Sequence, residues 1–280
     1  MTIEHQQSMT DIYTSLLEGV KHAHQGYWAP DMDELIDEFS QTRYLKELTK
    51  LTSIREDHII LDLGCGNGAT SIWLAEEFGC FIHAVDIVEE NVNRARASIK
   101  HANLEHRICV HRMDATDMEF KTNTFDYVIA VESIYHIEKK ESLFQEIRKI
   151  LKPEGHLLFA EYILENPDSW FAKKIASAAV GSKYLRSSHN YYEMLTNSNF
   201  GSINFTDVTE QTVIQTLEWI KYAKDNFIAN YLSMFFGKTP RALLNLLLPI
   251  LIGLPLQLAR KKILKLEFIS GMKIEVSELN

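Results

Sequence analysis

Gly64, Gly66 and Gly68 alternate directly after the apolar run at 58–63 (HIILDL) and before a helical stretch at 69–78. Glycines after a strand permit positive φ and let a ligand approach the backbone. The free N–H groups of a helix that follows favour polar or anionic ligand groups. The spacing is GxGxG, which differs from the GxGxxG of dinucleotide-binding turns. Asp62 stands just ahead of the glycines. Asp86 ends the next strand, where a carboxylate can accept hydrogen bonds from both hydroxyls of a ribose. Asp114 ends a third strand, where it can accept from an exocyclic amine.

A second group of reactive side chains lies further on. Glu132-Ser133-Ile134-Tyr135-His136 follows a fourth strand, and Glu161-Tyr162 ends a fifth. His136 is the natural general base, because an imidazole titrates near working pH. Glu161 can orient it or act itself. Tyr27 and Trp28 sit in the turn at 26–30, and their faces can stabilise a cation. Each residue also has a plain structural role: a solvated strand-end acid, a loop histidine, a packing aromatic. The case for a site is that the acids all fall at carboxyl ends of successive strands, the edge where open α/β sheets bind ligands. Glu132 and Glu161 lack a third clear oxygen ligand, and the other histidines lack ligand spacing, so no metal is expected.

The elements that must position these groups follow from periodicity. Apolar residues share helical faces over 10–51. From 58 the chain alternates strand (58–63, 80–86, 107–113, 125–131, 156–160) and helix (69–78, 89–102, 141–151), which predicts a mostly parallel sheet covered on both faces. Lys152-Pro153-Glu154-Gly155 marks a turn. Later come helices near 167–180, 190–198 and 211–236, a strand at 202–208, and a strand at 272–276. The division is an N-terminal helical cap (1–52), a cofactor-binding α/β core (53–165), and a helical acceptor-side lid with the last strands (166–280).

Composition narrows the classes. With 29 Lys+Arg against 38 Asp+Glu the net charge is -9, which argues against nucleic acid as partner. Three cysteines without framework spacing and no apolar leader point to a reducing, cytoplasmic setting. The exception to a plainly soluble pattern is 242–259 (ALLNLLLPILIGLPLQLA), followed by Arg260, Lys261 and Lys262. Pro249, Gly253 and Pro255 break it into pieces too short to span. A lid over an apolar pocket, peripheral membrane contact through 242–262, and a true span all remain as readings, in that order.

The segment from Leu61 to Gly68 resembles motif I of class I S-adenosylmethionine-dependent methyltransferases. Asp86 matches that family's ribose position, and Asp114-Ala115 its adenine-facing position. The stretch 125–161 looks like its fourth strand, helix and fifth strand, and the likeness covers roughly residues 26–165. It implies a Rossmann-like sheet of seven strands, the last antiparallel and formed by 272–276, with N-terminal helices and a helical cap inserted near the C-terminus. It also implies S-adenosylmethionine as cofactor. Asp62, Gly64 and Gly66 would hold its amino acid end, Ile87 and Met113 would pack on adenine, and Glu132 would be a further cofactor-binding residue. The Glu132–His136 pattern resembles natural-product, sterol and phosphobase members, and Tyr27-Trp28 their closing turn. Tyr135 and Tyr162 join Trp28 on the acceptor side.

These features point to methyl transfer to a small, largely apolar acceptor. A hydroxyl oxygen is favoured over carbon, with a nucleophilic nitrogen as a third option. The rivals are a non-methylating relative such as a cyclase or scaffold, and a nicotinamide dehydrogenase, which the GxGxG spacing disfavours. Acceptor identity and oligomeric state are not readable.

Overall fold

The structure is a computed structural model that describes residues 27, 38–166, 168–215 and 253–274. The expectations for Trp28, 1–26 and 216–252 lie outside these.

Helix α1 (Glu38–Thr49) leads into strand β1 (Ile59–Leu63). α2 (Ala69–Phe78), β2 (Phe81–Asp86), α3 (Glu89–His101), β3 (Ile108–Arg112) and β4 (Phe125–Val131) follow. A 3-10 turn, Ile134–His136, precedes α4 (Lys140–Ile150) and β5 (Leu151–Leu164). Then come α5 (Trp170–Val180), α6 (Ser188–Asn197), β6 (Phe200–Asp207) and β7 (Leu264–Lys273).

The seven strands order as β3-β2-β1-β4-β5-β7-β6. The pairs from β3 to β5 are parallel, and β7 runs antiparallel between β5 and β6. The parallel strands are buried on both faces, so they are continuous apolar runs rather than alternations. On one face, Tyr44, Leu45 and Leu48 of α1 and Trp73 and Leu74 of α2 pack with Ile60, Ile129, Leu158 and Tyr162. On the other, Phe144 and Ile147 of α4 and Tyr191 and Leu195 of α6 pack with Leu61, Val128, Phe159 and Ile163. β2 and β4 both flank β1, so the strand order reverses there and opens a crevice at the carboxyl edge.

Three boundaries differ from the sequence reading. The antiparallel strand starts at Leu264, not at 272. Its polar members are internally satisfied: Lys265 Nζ bonds Glu165 Oε1 (2.5 Å) and Glu267 Oε1 (2.9 Å). β5 begins at Leu151, because residues 152–155 form an irregularity within it: Phe125 pairs with Leu151 but Tyr127 with His156. Of the long helix expected at 211–236, the described part is a π-turn, Glu210–Ile214. Residues 253–260 are helical, with Leu256, Leu258 and Ala259 buried in the first core layer. Among the described residues no helix is long and apolar enough to cross a membrane.

Candidate active site

The loop between β1 and α2 takes left-handed backbone at Gly64 (φ 76°), Gly66 (φ 54°) and Gly68 (φ 83°). It is tied to β2: Gly64 N–H and Cys65 N–H both donate to the Val85 carbonyl, at 2.8 and 3.0 Å. A side chain at Gly64 would meet Ser133 Cβ at 2.5 Å, whereas at Gly66 it would meet nothing within 4 Å. Gly64 is therefore required by packing, and Gly66 faces open space.

Asp86 closes the same loop from β2. Its Oδ2 accepts from Gly66 N–H (3.0 Å) and Asn91 Nδ2 (3.2 Å), and its Oδ1 from Val88 N–H (2.8 Å). Burial raises its pKa, and those bonds oppose the rise. A carboxylate offers about four lone-pair sites, so acceptor capacity remains. Asp62 is buried beneath the glycines, with Oδ2 accepting from Ser71 Oγ at 2.5 Å. Burial pushes its carboxyl up to about 7; the Ser71 bond pulls it down and the Asp86 charge adds to the rise. The Asp86 charge thus disfavours ionisation of its buried neighbour Asp62.

Asp114 is exposed, and its Oδ1 accepts from Thr116 N–H and Oγ1, both at 2.8 Å. That bond pair shapes the turn after β3. Met113 N–H donates to the Asp86 carbonyl (3.1 Å), and Met113 and Ala115 are half-buried against the second core layer. Ile87 is half-buried beside Asp86. Asp62, Asp86 and Asp114 thus stand at the carboxyl ends of three adjacent strands.

The turn after β4 is fastened to the glycine loop, since Ser133 Oγ donates to the Leu63 carbonyl (2.8 Å). Glu132, just before it, has φ 49°, an uncommon conformation for a non-glycine residue, and its N–H donates to the Ala160 carbonyl (3.0 Å). Tyr135 lies against His136 (ring centroids 4.2 Å) and edge-on to Tyr162 (5.4 Å). Tyr44 of α1 completes the group. It is fully buried, and burial together with the charge and hydrogen bond of Glu132 holds its phenol proton on well above the ordinary range, with Tyr162 and Tyr135 also facing it. Sequence reasoning missed Tyr44, because it shares the apolar stripe of Leu45 and Leu48. The available signal was that a buried phenol needs a polar partner.

Glu161 and Tyr162 alternate to opposite faces of β5. Tyr162 joins the Tyr44 layer, while Glu161 lies among Phe159 and Ile163 on the α4/α6 side. Burial pushes Glu161 up to about 8, against the pull of Lys140 and the Tyr191 phenol; the Glu132 charge adds to the rise. Tyr27 packs against α1, with its N–H donating to the Ser40 carbonyl (3.0 Å); its pKa is raised chiefly by burial and then by Glu47. Among the described residues no cluster of three or more His, Cys, Asp or Glu is arranged for a metal.

A Rossmann-like seven-stranded sheet with one antiparallel strand, carrying its acids at the carboxyl edge, defines the class I methyltransferase fold. Residues 60–155 match the family model described as a methyltransferase domain. "Methyltransferase GfsG" of Streptomyces halstedii is 26% identical over 68% of this chain and 70% of its own length. "O-methyltransferase resE" of Aspergillus sclerotiorum is 28% identical over 72% of this chain and 78% of its own. The fold matches a Galdieria sulphuraria structure provisionally named a sarcosine dimethylglycine methyltransferase, with TM-score 0.79 and 16% identity, over 96% of this chain and 98% of that one. Other matches carry N- and C-methyltransferase names. Residues 60–155 thus form a methyltransferase domain, and the activity these matches support is S-adenosylmethionine-dependent methyl transfer.

Proposed function

We propose that the protein methylates a hydroxyl oxygen of a small, largely apolar acceptor, with His136 as general base. The observation that supports this most is the tie between the His136 turn and the glycine loop through Ser133 Oγ and the Leu63 carbonyl. It ties the turn that carries His136 to the glycine loop, and Tyr135, Tyr162 and Tyr44 pack together beside that turn.

The residues fit the cofactor: open space at Gly66, and buried acids at Asp62 and Asp86. S-adenosylmethionine supplies an already activated methyl, so transfer is an in-line displacement in which positioning dominates. In this reading Asp86 accepts from a ribose hydroxyl and Asp62 faces the amino acid end. Gly64 and Gly66 shape the loop around that end. Ile87, Met113 and Ala115 flank the adenine, and Asp114 accepts from its amine. His136 takes the hydroxyl proton as the oxygen attacks the methyl carbon and the methyl–sulfur bond breaks. Tyr27, held against α1, belongs in this reading to the turn that closes over the cofactor. His136→Ala is expected to lower kcat by about 10²- to 10⁴-fold with cofactor affinity unchanged. Steady-state kinetics with an apolar alcohol panel check this, and an unchanged kcat would remove His136 from the chemistry.

Ionisation of Asp62 adds a pH prediction. Its raised carboxyl, at about 7, is largely protonated at pH 6 and largely ionised at pH 8. An ammonium group beside it favours the ionised form. Cofactor affinity therefore rises between pH 6 and 8, with proton release on binding at the lower pH. Calorimetry in buffers of different ionisation enthalpy measures that release, and Asp62→Asn removes it. The unliganded protein shows the opposite trend. A carboxyl raised in the fold above its unfolded value binds more protons folded, so its stabilising contribution falls as pH rises from about 4 to about 7.

A second reading has its own observation. Glu132 stands among three tyrosines, which suits an acceptor that gains positive charge, at carbon or nitrogen. Methylation of a prenyl or aromatic carbon that survives His136→Ala but is lost in Glu132→Gln would favour it. An apolar acceptor also fits peripheral membrane contact through 242–262, which vesicle co-sedimentation detects.

A further inference from the structure

We propose that Lys140 is a positioning residue for the acceptor-side turn, its buried ammonium bonded to the Ile137 carbonyl so that Tyr135 and His136 are presented in one orientation. The inference rests on the proposed acceptor-side role of His136.

Lys140 opens α4, where a cation opposes the helix dipole, yet its side chain is only 1% exposed. Lysine is almost never so deeply buried unless paired. Its Nζ donates to the Ile137 carbonyl at 2.6 Å, directly at the end of the Ile134–His136 turn. Two other bonds hold the same segment: Ser182 Oγ to the Tyr135 carbonyl (2.5 Å) and Tyr184 phenol to Glu138 Oε2 (2.9 Å). Those bonds come from the loop after α5. Lys140 is the one of the three that belongs to α4, on the face of β5 that carries Glu161, whose ionised form favours the ammonium.

The charged groups facing Lys140 are Glu161, Arg186 and Glu141. Burial lowers the ammonium to about 8, Glu161 and Glu141 work to keep it protonated, and Arg186 works against it. Facing Glu161 are Lys140, the Tyr191 phenol and Glu132, with Glu267 directly opposite in the β5–β7 register. Neither Glu161 oxygen has a partner in full hydrogen-bond geometry, so its main compensation is the neighbouring ammonium. Glu161 thereby acts on His136 through Lys140 and the Ile137 carbonyl, as a positioning residue rather than a second base.

The test follows the His136 Cε1–Hε1 NMR signal of the full chain without ligand, assigned with His136→Asn, from pH 5.5 to 9. Lys140→Met is expected to displace the signal and shift its titration midpoint by at least about half a pH unit, which is about 0.7 kcal/mol between the two protonation states. Lys140→Arg, which keeps a cationic donor, restores most of the wild-type curve. Glu161→Gln leaves the donor in place but removes a carboxyl whose ionised form favours the ammonium, so Lys140 loses its proton at lower pH than in the wild type and the matching step in the His136 curve moves down. Wild-type His136 curves in both Lys140→Met and Glu161→Gln would overturn the proposal, whatever happens to thermal stability. If Lys140→Met does not fold, Glu161→Gln decides alone by the same criterion. The readout needs no acceptor, so this failure is separate from failure of the His136 base, which the His136→Ala kinetics decide.

Discussion

Asp86→Ala is expected to weaken S-adenosylmethionine binding by about 100-fold or more. With three of its about four lone-pair sites taken by Gly66, Val88 and Asn91, the carboxylate has one left for a ribose hydroxyl; that charge-assisted bond contributes roughly 1.5–3 kcal/mol, and loss of the loop's own bonds carries the total past the about 2.7 kcal/mol that is 100-fold. The same carboxylate organises the loop, since it accepts from Gly66 N–H, Val88 N–H and Asn91 Nδ2. Truncation therefore removes the ligand contact and loosens the glycine loop together. Asp86→Asn separates the two effects. Its single amide oxygen can keep the bond from either Val88 or Gly66 while its amide nitrogen opposes the other donor, so it should bind at intermediate affinity with part of the loop's stability retained. Calorimetric titration with thermal unfolding of each variant checks this. Wild-type affinity in Asp86→Ala would mean that the ribose is held elsewhere.

Gly64→Ala is the second large effect, and it falls on the fold. A left-handed φ of 76° costs an alanine about 1–2 kcal/mol. The new Cβ would stand 2.5 Å from Ser133 Cβ and 2.9 Å from Ser133 Oγ. Ser133 cannot retreat freely, because its hydroxyl is bonded to the Leu63 carbonyl. Overpacking of this kind adds about 1–3 kcal/mol. A total of about 3 kcal/mol corresponds to a Tm lowered by roughly 6–12 °C for a chain of this size. Ser133→Gly in the same chain should recover the clash but not the backbone strain, hence about half the loss. Gly66→Ala is the contrast: with open space around it, it should cost about 1 kcal/mol of stability from φ alone, yet obstruct the ligand. Scanning calorimetry of the three variants reads the ranking. Equal Tm for Gly64→Ala and Gly66→Ala would show that Ser133 yields.

The sheet was legible because parallel strands buried on both faces leave apolar runs that glycine and charged turns punctuate. The same logic located Asp62, Asp86 and Asp114, since each ends such a run. Other features left weaker traces. Lys152-Pro153-Glu154-Gly155 reads as a strand break, and it is one geometrically, but the ladder resumes around it with Glu154 at φ 60°. The strand from Leu264 carries Lys265 and Glu267, which look solvated in sequence; both are satisfied by Glu165 and Ser188, residues remote along the chain. Lys140 follows Lys139 at a helix start and resembles surface charge, and Glu161 resembles a strand-end acid on the acceptor side. Their meeting on the α4/α6 face depends on which way β5 turns its odd residues, a property of packing rather than of local sequence. Tyr44 was hidden likewise, because an aromatic on an apolar stripe fits a core as well as a site.

The most direct test of the central claim is calorimetric titration of the wild-type protein with S-adenosylmethionine, S-adenosylhomocysteine and NAD in parallel. The arrangement of Gly64, Gly66, Asp62 and Asp86 predicts micromolar binding of both sulfur ligands and no measurable binding of NAD. Binding of NAD, or of none of the three, would contradict the methyltransferase account.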